Sequence, residues 1–171
     1  MSRDSNNKKS FMREWGWFII AIIGIFLFKE YLFAPILVQG DSMDSTLKNN
    51  DLMILNKVSK DNLNRFDIVV IRYEKKYLIK RIIALPGEKV KYVDSTLYIN
   101  DKEIEEPFLP QGTVTHDFAL EFEIPKNCYF VMGDNRMISY DSRSLGCFDK
   151  SKIDGKTNLV LFPFDRFGTK K

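Results

Sequence analysis

Ser42, in Gly40-Asp41-Ser42-Met43, carries a hydroxyl that becomes a nucleophile only when a base removes its proton. The usual base is a histidine, and the chain has one, His116, in the polar loop Thr113-Val114-Thr115-His116-Asp117. No motif surrounds it, and it reads as a surface residue. A neutral lysine can do the same work. At an unperturbed pKa near 10.4, only about one lysine in 2,500 is neutral at pH 7. Lowering the pKa to roughly 7 or 8 takes about 3 to 5 kcal/mol, which desolvation can supply. Lys80 lies in Tyr77-Leu78-Ile79-Lys80-Arg81-Ile82-Ile83, where strand alternation puts Leu78, Lys80 and Ile82 on one face. If that face meets the core, the amine loses its water. If the face of Arg81 turns inward instead, Lys80 is solvated. Alternation alone leaves both open.

The elements that would position these groups are short strands. Asp51–Val58, Phe66–Tyr73, Tyr77–Ala84, Lys89–Val93 and Thr96–Asn100 are rich in Val, Ile, Leu and Tyr, as are Phe118–Ile124, Cys128–Met132 and Asn158–Phe162. Asn100-Asp101 and Glu74-Lys75-Lys76 read as turns between paired strands. The spacing predicts a mostly β domain, an antiparallel barrel or sandwich. Residues 105 to 117 hold two prolines and a glycine and read as an exposed loop, and Gly168 to Lys171 as a frayed end.

Ahead of this domain lies an apolar segment. Residues 1 to 14 are polar, with Arg3, Lys8, Lys9 and Arg13. The fourteen residues from Trp15 to Phe28 are uncharged, which as helix cover about 21 Å. Extension to Phe33 gives about 28 Å, near the thickness of a hydrocarbon core, with Lys29 and Glu30 at the far interface. No small-x-small cleavage site follows, so the segment reads as an uncleaved signal anchor over residues 15–33. Basic residues before the span place the N-terminus in the cytoplasm and residues 34–171 outside, a single-pass type II arrangement.

The chain's 171 residues suit one domain plus an anchor, and a hydrophobic share of 44% with 14 Phe fits a packed core. A net charge of +3, with no basic stripe, gives no argument for nucleic acid. One histidine and two cysteines are too few for an ordinary structural zinc site, and no cofactor is expected. Cys128 and Cys147 read as core or surface thiols, although a single bridge is geometrically possible.

Taken together, three stretches carry a resemblance. They are Gly40-Asp41-Ser42-Met43 with Thr46-Leu47, Lys80-Arg81 with Pro86-Gly87-Glu88, and Gly133-Asp134-Asn135-Arg136 with Ser139 and Asp141-Ser142-Arg143. In this order, after an apolar segment, they resemble bacterial type I signal peptidases, and the short chain is similar to the single-span Gram-positive members. The resemblance implies that Ser42 is the nucleophile and Lys80 the general base. It implies that Ser139 orients the amine, that Asp141 and Arg143 form an ion pair near the site, and that Asp134 is a further supporting carboxylate. The Ser42 backbone N–H would serve the oxyanion hole. The implied partners are signal peptides of secreted preproteins, cut after small residues, together with the lipid bilayer and the protein-export channel.

Two positions depart from the family pattern. Gly40 stands where some relatives carry a hydroxyl that helps the oxyanion hole, and Ser45 where proline is usual. They leave room for an inactive, anchored accessory protein or chaperone. Two other classes also use an anchored or related β fold: self-cleaving repressors with a serine and lysine, and cysteine transpeptidases of the sortase kind. The Trp15–Phe28 segment speaks against the first. Sequences around Cys128 and Cys147 unlike the transpeptidase motif speak against the second.

Overall fold

The computed structural model describes residues 15–26 and 31–170. Its strands in chain order are β1 (Phe33–Leu37), β2 (Leu52–Asn56), β3 (Ile68–Tyr73), β4 (Lys76–Ala84), β5 (Val90–Val93) and β6 (Thr96–Ile99). They continue with β7 (Lys102–Ile104), β8 (Phe118–Ala119), β9 (Cys128–Met132), β10 (Phe148–Asp149), β11 (Ile153–Phe162) and β12 (Gly168–Thr169). One sheet runs β1-β2-β11-β3-β4-β9-β10 with β12 on β11, and the other runs β7-β6-β5-β8. Every pairing is antiparallel.

The hairpins follow from their turn residues. Asp94-Ser95 and Asn100-Asp101 both take positive φ, joining β5 to β6 and β6 to β7 by two-residue loops. Glu74, also at positive φ, starts the turn that pairs Tyr73 with Lys76. Between the sheets, Ile83, Ala84, Val90, Tyr92, Leu97, Ile99, Ile124, Phe130 and Met132 form one buried cluster. A second, smaller one gathers Val38, Met43, Leu47, Met53, Ile68 and Val160 under the turn that carries Ser42. Each fully buried aliphatic side chain in these clusters contributes about 1.5 to 3 kcal/mol.

The structure revises several expectations. Cys128 and Cys147 are not thiols but a disulfide, with Cα atoms 5.7 Å apart and a sequence separation of 19. The bridge forms because β9 and the segment before β10 lie side by side, with Phe148 opposite Tyr129. Gly168–Thr169 is not frayed but paired with Leu159 and Val160. The loop of residues 105–117 is only partly exposed, since Thr115 is buried and Phe108 lies against the Arg81 guanidinium, 3.8 Å from its ring centroid. Of Phe118–Ile124 only the first two residues are strand.

Residues 15–26 are helical and, but for partly covered Gly16, exposed. No helix among the described residues is long and apolar enough to cross a membrane. The expected tail at 1–14 and the expected interfacial pair Lys29-Glu30 lie outside the described residues.

A bridge closing a loop of this length stabilises by about 3 kcal/mol. Thermal unfolding with and without reductant measures it. The reduced protein is expected to melt lower by on the order of 10 °C. Coincident curves would mean that the bridge restrains nothing.

Candidate active site

The turn after β1 begins at Gly40, whose φ of +87° is open to glycine and strained for most other residues. Its N–H donates to Asn49 Oδ1 at 3.0 Å. The Thr46 and Leu47 N–H groups donate to Met43 O, at 3.1 and 2.8 Å. Met43 and Leu47 are buried anchors below, which leaves Ser42 half-buried at the lip of a groove. Ser45 has a φ of +86°, and its N–H donates to Asp44 Oδ1 at 2.8 Å. Proline, with φ held near −65° and no N–H, does not fit that conformation. The Ser45 turn as folded here therefore does not accommodate the proline usual in the family pattern.

Lys80 lies in β4 opposite Val69. The two faces left open by alternation are both covered at this point. Lys80 is 2% exposed and Arg81 1%. Lys80 Nζ donates to Ser139 Oγ at 3.1 Å. Burial brings its pKa down from 10.5 to about 8, helped by the Arg143 charge and opposed by Asp141 and Asp134. Ser42 and Lys80 line one groove of about 820 Å³, together with Pro35 to Gly40 and Lys75 to Ile79. Among the described residues no hydrogen bond joins Ser42 Oγ to Lys80 Nζ. Such bonds are often long in an unliganded site.

The segment after β9 supplies the support. Gly133 runs so close to Ser139 Oγ and to Ser42 O that a Cβ there would collide with both. Asn135 N–H donates to Ser42 O at 3.1 Å, and Ser139 N–H to Asn135 O at 3.0 Å. Asp141 is fully buried. It accepts from Gly133 N–H at 3.0 Å and from Arg143 through two bonds of 2.9 Å. Burial pushes its carboxyl up, but Arg143, Gly133 and Ser139 together hold it below the usual range. It also caps the one-turn helix Ser142–Leu145 through the Arg143 N–H.

Asp141 and Arg143 are thus paired, as expected. Asp134 pairs with Arg81, through bonds of 2.9 Å from Nε and 2.6 Å from Nη2, both partners buried. Sequence reasoning missed Arg81 as a partner, and also Arg136, Glu106 and Tyr92, which form a buried cluster behind the same turn. Two adjacent basic residues in a strand with apolar residues on both faces are the signal that would have found the first. His116 is exposed and lines a separate hollow with Ser139 and Arg143. Among the described residues, no group of three or more His, Cys, Asp or Glu is placed to hold a metal ion.

This arrangement brings a hydroxyl, a desolvated amine and a second hydroxyl bonded to that amine to one end of an open groove. A family model described as "Signal peptidase, peptidase S26" matches residues 12–162. The chain is 40% identical over 176 residues to a protein of Bacillus licheniformis named Signal peptidase I, covering 94% of each. It is 38% identical over 179 residues to Signal peptidase I S of Bacillus subtilis, covering 96% of this chain and 97% of the relative. Among solved structures, a signal peptidase I from Enterococcus faecalis is similar with a TM-score of 0.51 at 35% identity, over 56% of this chain and 96% of that one.

Proposed function

Because the chain belongs to the signal peptidase family, peptidase S26, and is a serine peptidase, we propose that it removes signal peptides from secreted preproteins with Ser42 as nucleophile and Lys80 as general base. The observation that carries this reading is the buried amine of Lys80, bonded to Ser139 Oγ, in the groove that Ser42 lines. Neutral Lys80 takes the proton of Ser42 Oγ as that oxygen attacks the peptide carbonyl. The ammonium then protonates the leaving amine. A water deprotonated by the same lysine hydrolyses the acyl-enzyme and frees Ser42. The Ser42 N–H serves the oxyanion. Gly40 has no side chain to add a second donor there.

The groove favours an extended peptide. β1 pairs only with β2, and β9 meets β4 only from Arg81 onward. Residues 33–37 and 76–80 thus each present a free strand edge among the described strands. A peptide laid between them pairs as a strand and presents alternate side chains to the walls. Support for a bilayer position comes from the other face of β1. Phe33, Pro35 and Leu37 point outward there beside Leu52, Ile54 and exposed Phe162, directly after the apolar segment. We place the anchor within residues 15–32, since Phe33 already pairs with Asn56 in β1, the tail at 1–14 in the cytoplasm and the peptidase domain from Phe33 onward outside. Substrate and enzyme then share one surface, which raises their effective concentration.

The test is cleavage of a detergent-solubilised preprotein, with the new N-terminus sequenced and pH varied from 6 to 10. With a base pKa of about 8, about one molecule in eleven holds neutral Lys80 at pH 7, against about one in three thousand for an unburied lysine. The rate therefore rises about ninefold from pH 6 to 7 and about fivefold from pH 7 to 8, at most doubles beyond that, and levels. A rising limb that continues to pH 10 would remove the desolvated amine as the base. Failure to cut any of several preproteins, with the protein folded, would favour the accessory reading.

A further inference from the structure

The smaller sheet contributes no residue to the groove, yet it holds the catalytic turn through one side chain. Arg136 is 2% exposed. Its Nη2 donates to Glu106 Oε1 at 2.6 Å, and its Nη1 to Tyr92 Oη, Glu106 Oε2 and Thr115 Oγ1, at 2.8, 3.1 and 3.2 Å. Its Nε donates to Gly133 O at 3.2 Å. Tyr92 lies in β5 and donates its own hydroxyl proton to Glu106 Oε1 at 2.9 Å. The guanidinium therefore ties the backbone of Gly133 to β5 and to the chain after β7.

Gly133 is the residue packed against both Ser139 Oγ and Ser42 O. Two residues later, the peptide groups of Asn135 bond the Ser42 carbonyl on one side and the Ser139 N–H on the other. The turn of residues 133–136 is thus a splint between the nucleophile's backbone and the hydroxyl that receives Lys80. Asp134 fixes one side of the splint to β4 through Arg81, and Arg136 fixes the other to the second sheet. We propose that Arg136, clamped by Glu106 and Tyr92, is a positioning residue that sets the approach of Lys80 to Ser42 and hence the rate of acyl transfer. This rests on the serine–lysine reading above.

The readout follows from where the clamp is and is not. It touches the splint but none of the side chains lining the groove. Loosening it should misplace Lys80 relative to Ser42 and leave peptide binding as it was. A displacement of about 1 Å in reacting groups costs up to about a hundredfold in rate.

Glu106→Gln keeps the shape and loses the charge. Tyr92→Phe removes one acceptor. Arg136→Lys keeps the charge but cannot span Gly133 O, Tyr92 and Glu106 at once. Steady-state and single-turnover cleavage of the preprotein would be measured on full-length enzyme in detergent. The temperature would be one where circular dichroism shows each variant folded. Glu106→Gln is expected to lower kcat about tenfold or more with KM within about twofold, and Tyr92→Phe to lower it less. Should Arg136→Lys fail to fold, these two decide. Unchanged kcat in both folded variants, or a raised KM at unchanged kcat, overturns the proposal. Lys80→Ala run alongside separates the two failures. If it still cleaves, the parent reading fails. If it is dead while Glu106→Gln is unaffected, only the clamp fails.

Discussion

Lys80→Ala is expected to cut kcat/KM for a preprotein by about 10⁴-fold or more, and Ser42→Ala by as much. A general base alone contributes about 10²- to 10⁴-fold. In the proposed mechanism the same amine serves acylation and deacylation, so its loss falls on both steps. Since the two groups act as a unit, the double variant should be no worse than either single one. A fold control is built into the chemistry. The folded pKa of Lys80 is depressed to about 8 from 10.5, so the unfolded chain holds the extra proton between those values. Stability owed to this group therefore rises with pH from about 8 to about 10.5, by about 3 kcal/mol in all. A Lys80→Met variant should lack that rise and should be no less stable at pH 7. Substantial cleavage by folded Lys80→Ala would assign the base to another residue.

Asp134→Ala is expected to lower stability by about 3 to 5 kcal/mol, the usual cost of removing one partner from a buried ion pair. The Arg81 side chain is 1% exposed and the Asp134 side chain 0%. Once the carboxylate is gone, Arg81 keeps hydrogen bonds only to Phe66 O, at 2.9 Å, and, at a long 3.4 Å, to Thr46 Oγ1, besides the Phe108 ring over its guanidinium. None of these neutralises its charge. Replacing both partners together, as in Arg81→Met with Asp134→Leu, removes the stranded charge and should recover much of the loss. Urea melts of the two variants check this, and Asp134→Ala within about 1 kcal/mol of wild type would show that water reaches the guanidinium.

Much of this was legible in the sequence, because it depends on local pattern. Val69–Ile71 and Ile79–Ile83 announce strands by side-chain type, and Asn100-Asp101 announces a turn that needs positive φ. Alternation could not decide between Lys80 and Arg81, since it assumes one wet face. β4 passes between β3 and β9 with residues covering both sides, so the two cations are buried back to back. The pairing of Cys128 with Cys147 depends on how β9 and β10 meet, which no local signal carries. β1 carries no clear strand pattern, for a physical reason. It is an edge strand, with Pro35 tolerated because its far side has no ladder to break, and its outer face is apolar like its inner one. The Arg136 cluster joins residues 92, 106, 115 and 136, separations over which a single sequence gives no constraint.

The order of strands in the larger sheet bears on when this protein can first act. β11, which follows β2 and β3 by about a hundred residues or fewer, lies between them, and Arg166 beyond it binds Asp51 and the Thr46 carbonyl at the base of the Ser42 turn. A growing chain that has released β1 through β10 has neither the central ladder nor that tie. Segments more than a hundred residues apart must meet before the Ser42 turn is tied down, a slow, non-local closure. A chain that stops short of β11 therefore carries Ser42 and Lys80 without the frame that the proposed mechanism needs. The proposed site is complete only once β11 and Arg166 have docked.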